Sequence, residues 1–396
     1  MFTVQYQDVV AAQEKIAPYL TQTPCVYNPF ISHLLDCEIF LKLENLQPIG
    51  SFKIRGALNR LLALSEEEKQ RGVIAASAGN HAQGVALASR IVGTKAHIVM
   101  PKTAPITKVL RTEHLGGTIE LVGETYDEAS AHASTRAEKE QLVLIPAFFD
   151  PFVIAGQGTL GLELASIQPD VVIGSLGGGG LMLGVALALP NIELWGGQAS
   201  GAPDLANKLK GQWNNESTFT FADGIFIKHA KEQMVTLLEH KLRLVDTVSD
   251  EALAQAVVTL LEYGKILAEG AASLPLALAI KHKEKLKGKK VVLIISGGNI
   301  DLNFLSKIVD IGLLKSNRRL RINVLVDDKP GSFLKIAEIL NKKKANIIQA
   351  YHDRENPKQD LNLQSIELTL DVKDKLHSDE ILQDLKKVVK SIEVFS

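Results

Sequence analysis

Apolar runs of strand length alternate with longer alanine-rich or amphipathic stretches from about Glu38 to Ile311. EIFLKLE (38–44), GVIAAS (72–77), KAHIVMP (95–101), TIELVG (118–123), VLIPA (143–147), DVVIGSLG (170–177), IELWGGQ (192–198) and KVVLIIS (290–296) read as strands. GALNRLLAL, HAQGVALASRIVG, YDEASAHASTRAEKE and LMLGVALAL read as helices, and Ser65 with Glu68 has the spacing of a capping box. Continuous apolar strands separated by helices belong to parallel sheet covered on both faces. The units are too many for one sheet, so the pattern predicts an α/β body with two open, twisted, mostly parallel sheets.

The rhythm changes after Leu314. KSNRRLRINVLV is a polar hinge that runs into a new strand. We read strand 320–326, helix 331–343, strand 346–352, strand 363–371, helix 378–390 and a last strand near Val394. This is a βαββαβ order, expected for a small α+β domain at 316–396, with 1–315 as the main region. Asp328 to Ser332 (DKPGS) is the predicted turn into its first helix. No catalytic cluster is evident in that tail, which points to regulation or dimerisation.

A length of 396 residues suits two or three domains, and 46% hydrophobic with 22% charged residues suits a globular chain. With 44 basic and 45 acidic residues the net charge is -1, which gives no field to gather a phosphate backbone, so nucleic acid is not an expected partner. The basic run Lys281 to Lys290 is interrupted by Glu284 and reads as a solvated helix end. No run reaches the ~18 apolar residues of a membrane span. The segment MFTVQYQDVVAAQEKIAPYL lacks the basic and apolar regions of a secretory signal. Cys25 and Cys37 are too few for a disulfide framework and lack metal-ligand spacing. A cytoplasmic protein with reduced thiols and no metal is expected.

Four segments carry chemistry. Lys53 lies in GSFKIRGA (50–57), at the start of a helix whose expected cap is Ser51. A first-turn ammonium opposes the helix dipole, which favours the neutral amine that a Schiff base with an aldehyde requires. From this segment alone a surface lysine is the plainer reading. In SAGNHAQG (77–84), Ser77, Asn80 and free N–H groups at a strand-to-helix turn could bind a carboxylate or a ring oxygen. A helix cap with His81 in packing fits the segment equally well. Gly177-Gly178-Gly179-Gly180-Leu181, between a strand and a helix, lets several N–H groups converge on one anion, for which phosphate is the natural occupant. The G-x-G-x-x-G spacing of a dinucleotide site is absent. Ser296 opens SGGN (296–299), where its hydroxyl could meet an aromatic ring nitrogen; taken alone, a simple glycine turn is the plainer reading.

Together, GSFKIRGA, SAGNHAQGVA, AGQGTLGLE, the GGGGL loop and SGGNID occur in the order of the threonine dehydratase (threonine ammonia-lyase) group. These are pyridoxal-phosphate enzymes with the tryptophan synthase β-like fold, and the resemblance covers about residues 5–312. The tail, with INVLVDDKPGSFLKIAEIL and NIIQAYHDR, resembles a single C-terminal ACT domain. The resemblance implies a catalytic region 1–315, with a small subdomain at about 46–150 and a large one formed by 1–45 plus 151–315, followed by an ACT-like regulatory domain 316–396.

It also implies roles. Lys53 would hold the cofactor covalently and act as general base, Phe52 would flank the ring, and Asn80 would bond the 3-oxygen. Gly177, Gly178, Gly179, Gly180 and Leu181 would hold the phosphate, and Ser296 would meet the ring nitrogen. Ser77, Asn80 and His81 would receive the substrate. A serine at the ring nitrogen leaves the ring largely unprotonated, which favours expulsion of a β-hydroxyl over transamination. The expected reaction converts L-threonine to 2-oxobutanoate and ammonia, with L-serine as a second substrate. Ala78 stands where similar serine racemases place a second acid/base serine. Phe219 stands where cation-binding relatives have a glutamate, so Asp223 reads as a loop carboxylate and no metal is assigned. The group's habits further imply a homo-oligomer, dimer or tetramer, and a branched-chain amino acid as effector of the ACT-like domain. The competing readings are a serine-preferring dehydratase or racemase, and an inert amino-acid sensor.

Overall fold

Each of the eight apolar runs named above forms a strand in the computed structural model, which describes residues 3–213, 217–353 and 360–395. The chain divides into two compact units, Met1–Ile300 and Asp301–Ser396. In the first, a six-stranded sheet runs in the order Cys25–Tyr27, Glu38–Leu43, Lys290–Ile295, Val171–Ser175, Glu193–Ala199, Leu244–Val248. All neighbours are parallel except the first pair, where Val26 faces Leu41 across an antiparallel ladder. A second, wholly parallel sheet runs Gly117–Leu121, Ala96–Met100, Val73–Ala76, Val143–Leu144. The two edge strands of the larger sheet escape the apolar pattern because edges need less burial. CVY is only three residues, and LVDTV carries Asp246 and Thr247.

The central strands are apolar on both sides for a structural reason. Val171–Ser175 is buried at every position, with Trp195 and Leu274 among the residues of one covering core and Leu183 and Val185 among those of the other. The smaller sheet has its own core of Ile54, Leu58, Val73, Val85 and Ile98. The Lys53 helix (Lys53–Leu62) is wedged between helices Asn80–Val92 and Pro151–Leu164. A Cβ at Gly156 would stand 2.5 Å from the Arg55 carbonyl, so only glycine allows this approach. The basic run after helix Gly270–Lys281 is a helix end: Lys281 pairs with Asp246, Lys283 with Asp36 and Lys289 with Glu193.

The second unit holds an antiparallel sheet in the order Asn346–Asp353, Leu363–Asp371, Arg319–Asp327, Ser391–Phe395. With helices Ser332–Lys343 and Lys375–Leu385 this is the anticipated βαββαβ order, consistent with an ACT-like domain. Helix Leu302–Lys315, placed by composition with the main region, groups with this unit. The second helix starts and ends earlier than the 378–390 predicted. Asp374 caps it by accepting from the His377 N–H at 2.8 Å, and Lys390 has already joined the sheet through the Leu325 carbonyl. Arg354, which ends the NIIQAYHDR segment, lies outside the described residues.

Candidate active site

Three central strands end at one place, and their C-terminal turns build the site, as expected of parallel sheets. Lys53 is the first residue of its helix, but Ser51 does not cap it. Phe52 occupies the N-cap position with helical backbone angles and makes no capping bond. The turn after Lys290–Ile295 claims the preceding backbone instead: Phe52 N donates to Ser296 O at 3.0 Å and Gly298 N to Gly50 O at 2.9 Å. Ser51 is thereby bridged to Gly297, and its hydroxyl is buried with no partner.

The Lys53 amine is not at the surface. Nζ donates to the Ala147 carbonyl at 2.8 Å and lies 5.4 Å from the centre of the Phe52 ring. Burial pushes its pKa down to about 8, against the opposing pull of the Glu269 charge.

After strand Val73–Ala76, Ser77 Oγ accepts from Gly79 N at 3.1 Å, and Asn80 opens the next helix. Asn80 Nδ2 donates to Glu269 Oε1 at 2.7 Å, while its Oδ1 accepts from Asn299 Nδ2 at 2.6 Å. His81 is buried with Nε2 2.9 Å from the Ile145 carbonyl, so Nε2 carries the proton. Burial and then the Lys53 charge push its pKa down to about 3, which keeps the ring neutral.

After strand Val171–Ser175 the four glycines turn directly into helix Gly180–Ala188. Gly179 has φ +88°, a conformation that favours glycine. A Cβ at Gly180 would stand 2.7 Å from the Phe148 carbonyl oxygen, and one at Gly178 would strike the Phe148 ring. The loop therefore has no room for side chains at Gly178 and Gly180, and it leads into a helix N-terminus, where N–H groups lack partners within the helix. Ser296, buried, completes the ring of turns.

Phe52, Lys53, Ser77, Asn80, His81, Gly177 through Leu181 and Ser296 all line one cavity of about 480 Å³. The sequence did not point to Glu269, which faces the same cavity. In EGAASLP it has the look of an acidic helix start, and it is indeed the N-cap residue of helix Gly270–Lys281. Its side chain makes no capping bond and turns into the cavity instead. Burial, then the Asp223 charge, pushes its pKa up to about 7. Phe148 was also missed, because no motif spacing marks it. Asp223 pairs with Lys108, and both line the cavity. Among the described residues no group of three or more His, Cys, Asp or Glu side chains could hold a metal ion.

The family model described as pyridoxal-phosphate dependent enzyme matches residues 16–297. The chain is 41% identical over 386 residues to the L-threonine ammonia-lyase of Thermotoga maritima, covering 96% of each. Among solved structures, the processed form of threonine deaminase isoform 2 from Solanum lycopersicum matches with TM-score 0.73 at 35% identity, over 77% of this chain and 92% of that one. Maize serine racemase matches with TM-score 0.73 at 32% identity, over 80% of this chain and all of the other.

Proposed function

This chain belongs to the pyridoxal-phosphate-dependent enzymes, and from that premise we propose that it deaminates L-threonine to 2-oxobutanoate and ammonia, with L-serine as a slower substrate. The observation that carries the reading is the convergence in one cavity of a buried amine, Lys53, with a side-chain-free glycine cradle. The residues fit the cofactor. Lys53 offers an amine whose lowered pKa makes the neutral form available near neutral pH. The Gly177–Leu181 turn offers N–H groups to the phosphate, Asn80 a spare N–H to the 3-oxygen, and Ser296 a hydroxyl to the ring nitrogen. When bound, pyridoxal phosphate supplies an aldehyde that condenses with amines and a ring that withdraws electrons from the substrate Cα.

The chain's own residues do the rest. Lys53 Nζ would accept the Cα proton, because desolvation lowers its pKa to about 8 and makes the neutral amine accessible near neutral pH. Ser77, Asn80 and His81 bound the region where the substrate carboxylate is received. His81 stays neutral and donates to Ile145, so it orients the turn and carries no charge. Ala78 has no group to move a proton on the opposite face, which favours elimination over racemisation.

Purified protein should release ketoacid from threonine with a higher kcat/KM than from serine; a clear serine preference overturns the substrate assignment. Borohydride reduction and peptide mapping should label Lys53, and a label elsewhere, or none, counts against the enzyme. We assign the ACT-like unit a regulatory role through a branched-chain amino acid, in a cytoplasmic homo-oligomer. Calorimetric titration of the full chain with isoleucine and valine tests it, and absence of heat removes it.

A further inference from the structure

Of the two carboxylates that line the cavity among the described residues, Asp223 is engaged by Lys108, and the reading above gives Glu269 no part. Its surroundings are closely built. The Glu269 N–H donates to the Gly297 carbonyl at 3.1 Å, and a Cβ at Gly297 would stand 2.5 Å from Glu269 Oε1 and 3.1 Å from the Ser51 Cβ. The carboxyl is therefore lodged against the glycine turn that follows the central strand.

From there it holds Asn80. One Asn80 N–H is taken by Glu269, and the Asn80 carbonyl oxygen is taken by Asn299, itself fixed by Arg111 at 2.6 Å and the Ile49 carbonyl at 2.8 Å. A flipped amide would set oxygen against the Glu269 carboxylate and nitrogen against the Asn299 amide nitrogen. The unflipped amide keeps one N–H for a ligand oxygen. The charged groups facing Glu269 are Lys53 from its helix, Asp223 from the 3-10 turn Asp223–Ile225 and Lys108 from helix Ile106–His114. The uncharged ones are Asn80 and the Asn299 backbone N–H.

We propose that Glu269 is a positioning residue of this site: its carboxyl fixes which face of the Asn80 amide meets the cofactor, and by gaining or losing its proton it sets the charge experienced at Lys53 and at the cofactor. The proposal rests on the reading that the cofactor joins Lys53 and meets Asn80. The elevated pKa of about 7 places the proton change within the range where the enzyme can be assayed. Below it the cavity loses its negative charge beside Lys53.

The test is a pH titration of the visible absorption of the holoenzyme, run on the unaltered chain, Glu269→Gln, Glu269→Asp and Lys53→Ala. The unaltered chain should show a spectral transition with midpoint near 7, matched by the acid limb of kcat/KM. Glu269→Gln keeps an oxygen to accept from Asn80, so the cofactor Kd should change by less than about threefold. Its spectral transition and acid limb should nevertheless vanish or move by more than about one pH unit. Glu269→Asp keeps the charge and should keep a transition. An unchanged midpoint in Glu269→Gln overturns the proposal. If instead no visible band forms, or the band survives in Lys53→Ala, the cofactor assignment beneath it has failed.

Discussion

Arg55, two residues beyond Lys53 on the same helix, is fully buried inside a cluster of four charges. Its Nε and Nη2 donate to both oxygens of Glu44 at 2.7 and 2.8 Å, and Nη1 donates to Glu163 at 2.6 Å and to Thr159 at 3.0 Å. Lys42 donates to Glu163 at 2.5 Å and lies 3.9 Å from Glu44. Two cations balance two anions, and the cluster ties the Lys53 helix to strand Glu38–Leu43 and helix Pro151–Leu164. Arg55→Met keeps much of the volume but leaves two buried carboxylates to share one lysine. Removing one partner of a buried pair costs about 3–5 kcal/mol, because the remaining charge is desolvated and uncompensated.

Urea unfolding at pH 7.5, followed by fluorescence of buried Trp195, should therefore show a loss of that size. Adding Glu44→Gln to Arg55→Met should restore part of it. The pH dependence provides a second check. Burial would raise the Glu44 pKa, but the Arg55 charge and hydrogen bonds, with Thr23 and Lys42, overcome it and hold the carboxyl below its ordinary value. A lowered native pKa stabilises above the unfolded value of ~4.3 and loses that stability as pH falls through the native one. Without Arg55, burial dominates and the pKa rises, so the folded variant takes up a proton before the unfolded chain does. The gap between the two proteins should then narrow as pH falls toward 5. A loss below about 1 kcal/mol at pH 7.5, or a gap that widens on acidification, refutes the argument.

Gly180→Ala would place a methyl 2.7 Å from the Phe148 carbonyl oxygen and displace the cradle, so cofactor Kd should rise at least about tenfold with the far-UV spectrum unchanged. Lys53→Ala should lower kcat by roughly 10²–10⁴-fold through loss of the base alone, read in single-turnover ketoacid release. His81, with a native pKa of about 3 against ~6.5 unfolded, binds its proton only in the unfolded chain between those values. Stability is thus lost as pH falls below ~6.5, and His81→Gln should reduce that slope by close to one proton, measured by urea midpoints from pH 4 to 7. Arg321→Ala should cost under about 1 kcal/mol, because its pairing with Glu367 is largely exposed.

What could be read along the chain follows how locally each feature is encoded. A strand covered on both faces must be apolar along its buried stretch, so the runs 171–173 and 291–295 declare themselves, whereas the edges Cys25–Tyr27 and Leu244–Val248 need no such run and stay silent. The glycine turn is legible for a similar reason: closeness of Phe148 excludes side chains at Gly178 and Gly180, and that exclusion is written in the residues themselves. Phe148, which imposes it, is an ordinary aromatic residue without spacing. Ser51 shows the opposite failure. Its type and position promise a helix cap, but a long-range bridge to Gly297 takes its backbone, and local chemistry yields to tertiary pairing. Glu269 is hidden by the same rule that exposes other helix starts, since a carboxylate at an N-cap needs no further explanation. Only the fold shows that its side chain turns from the helix toward Asn80, 189 positions away along the chain. Residues recognised by what they must exclude are thus visible beforehand, while residues that act by what they face are visible only after the chain has folded.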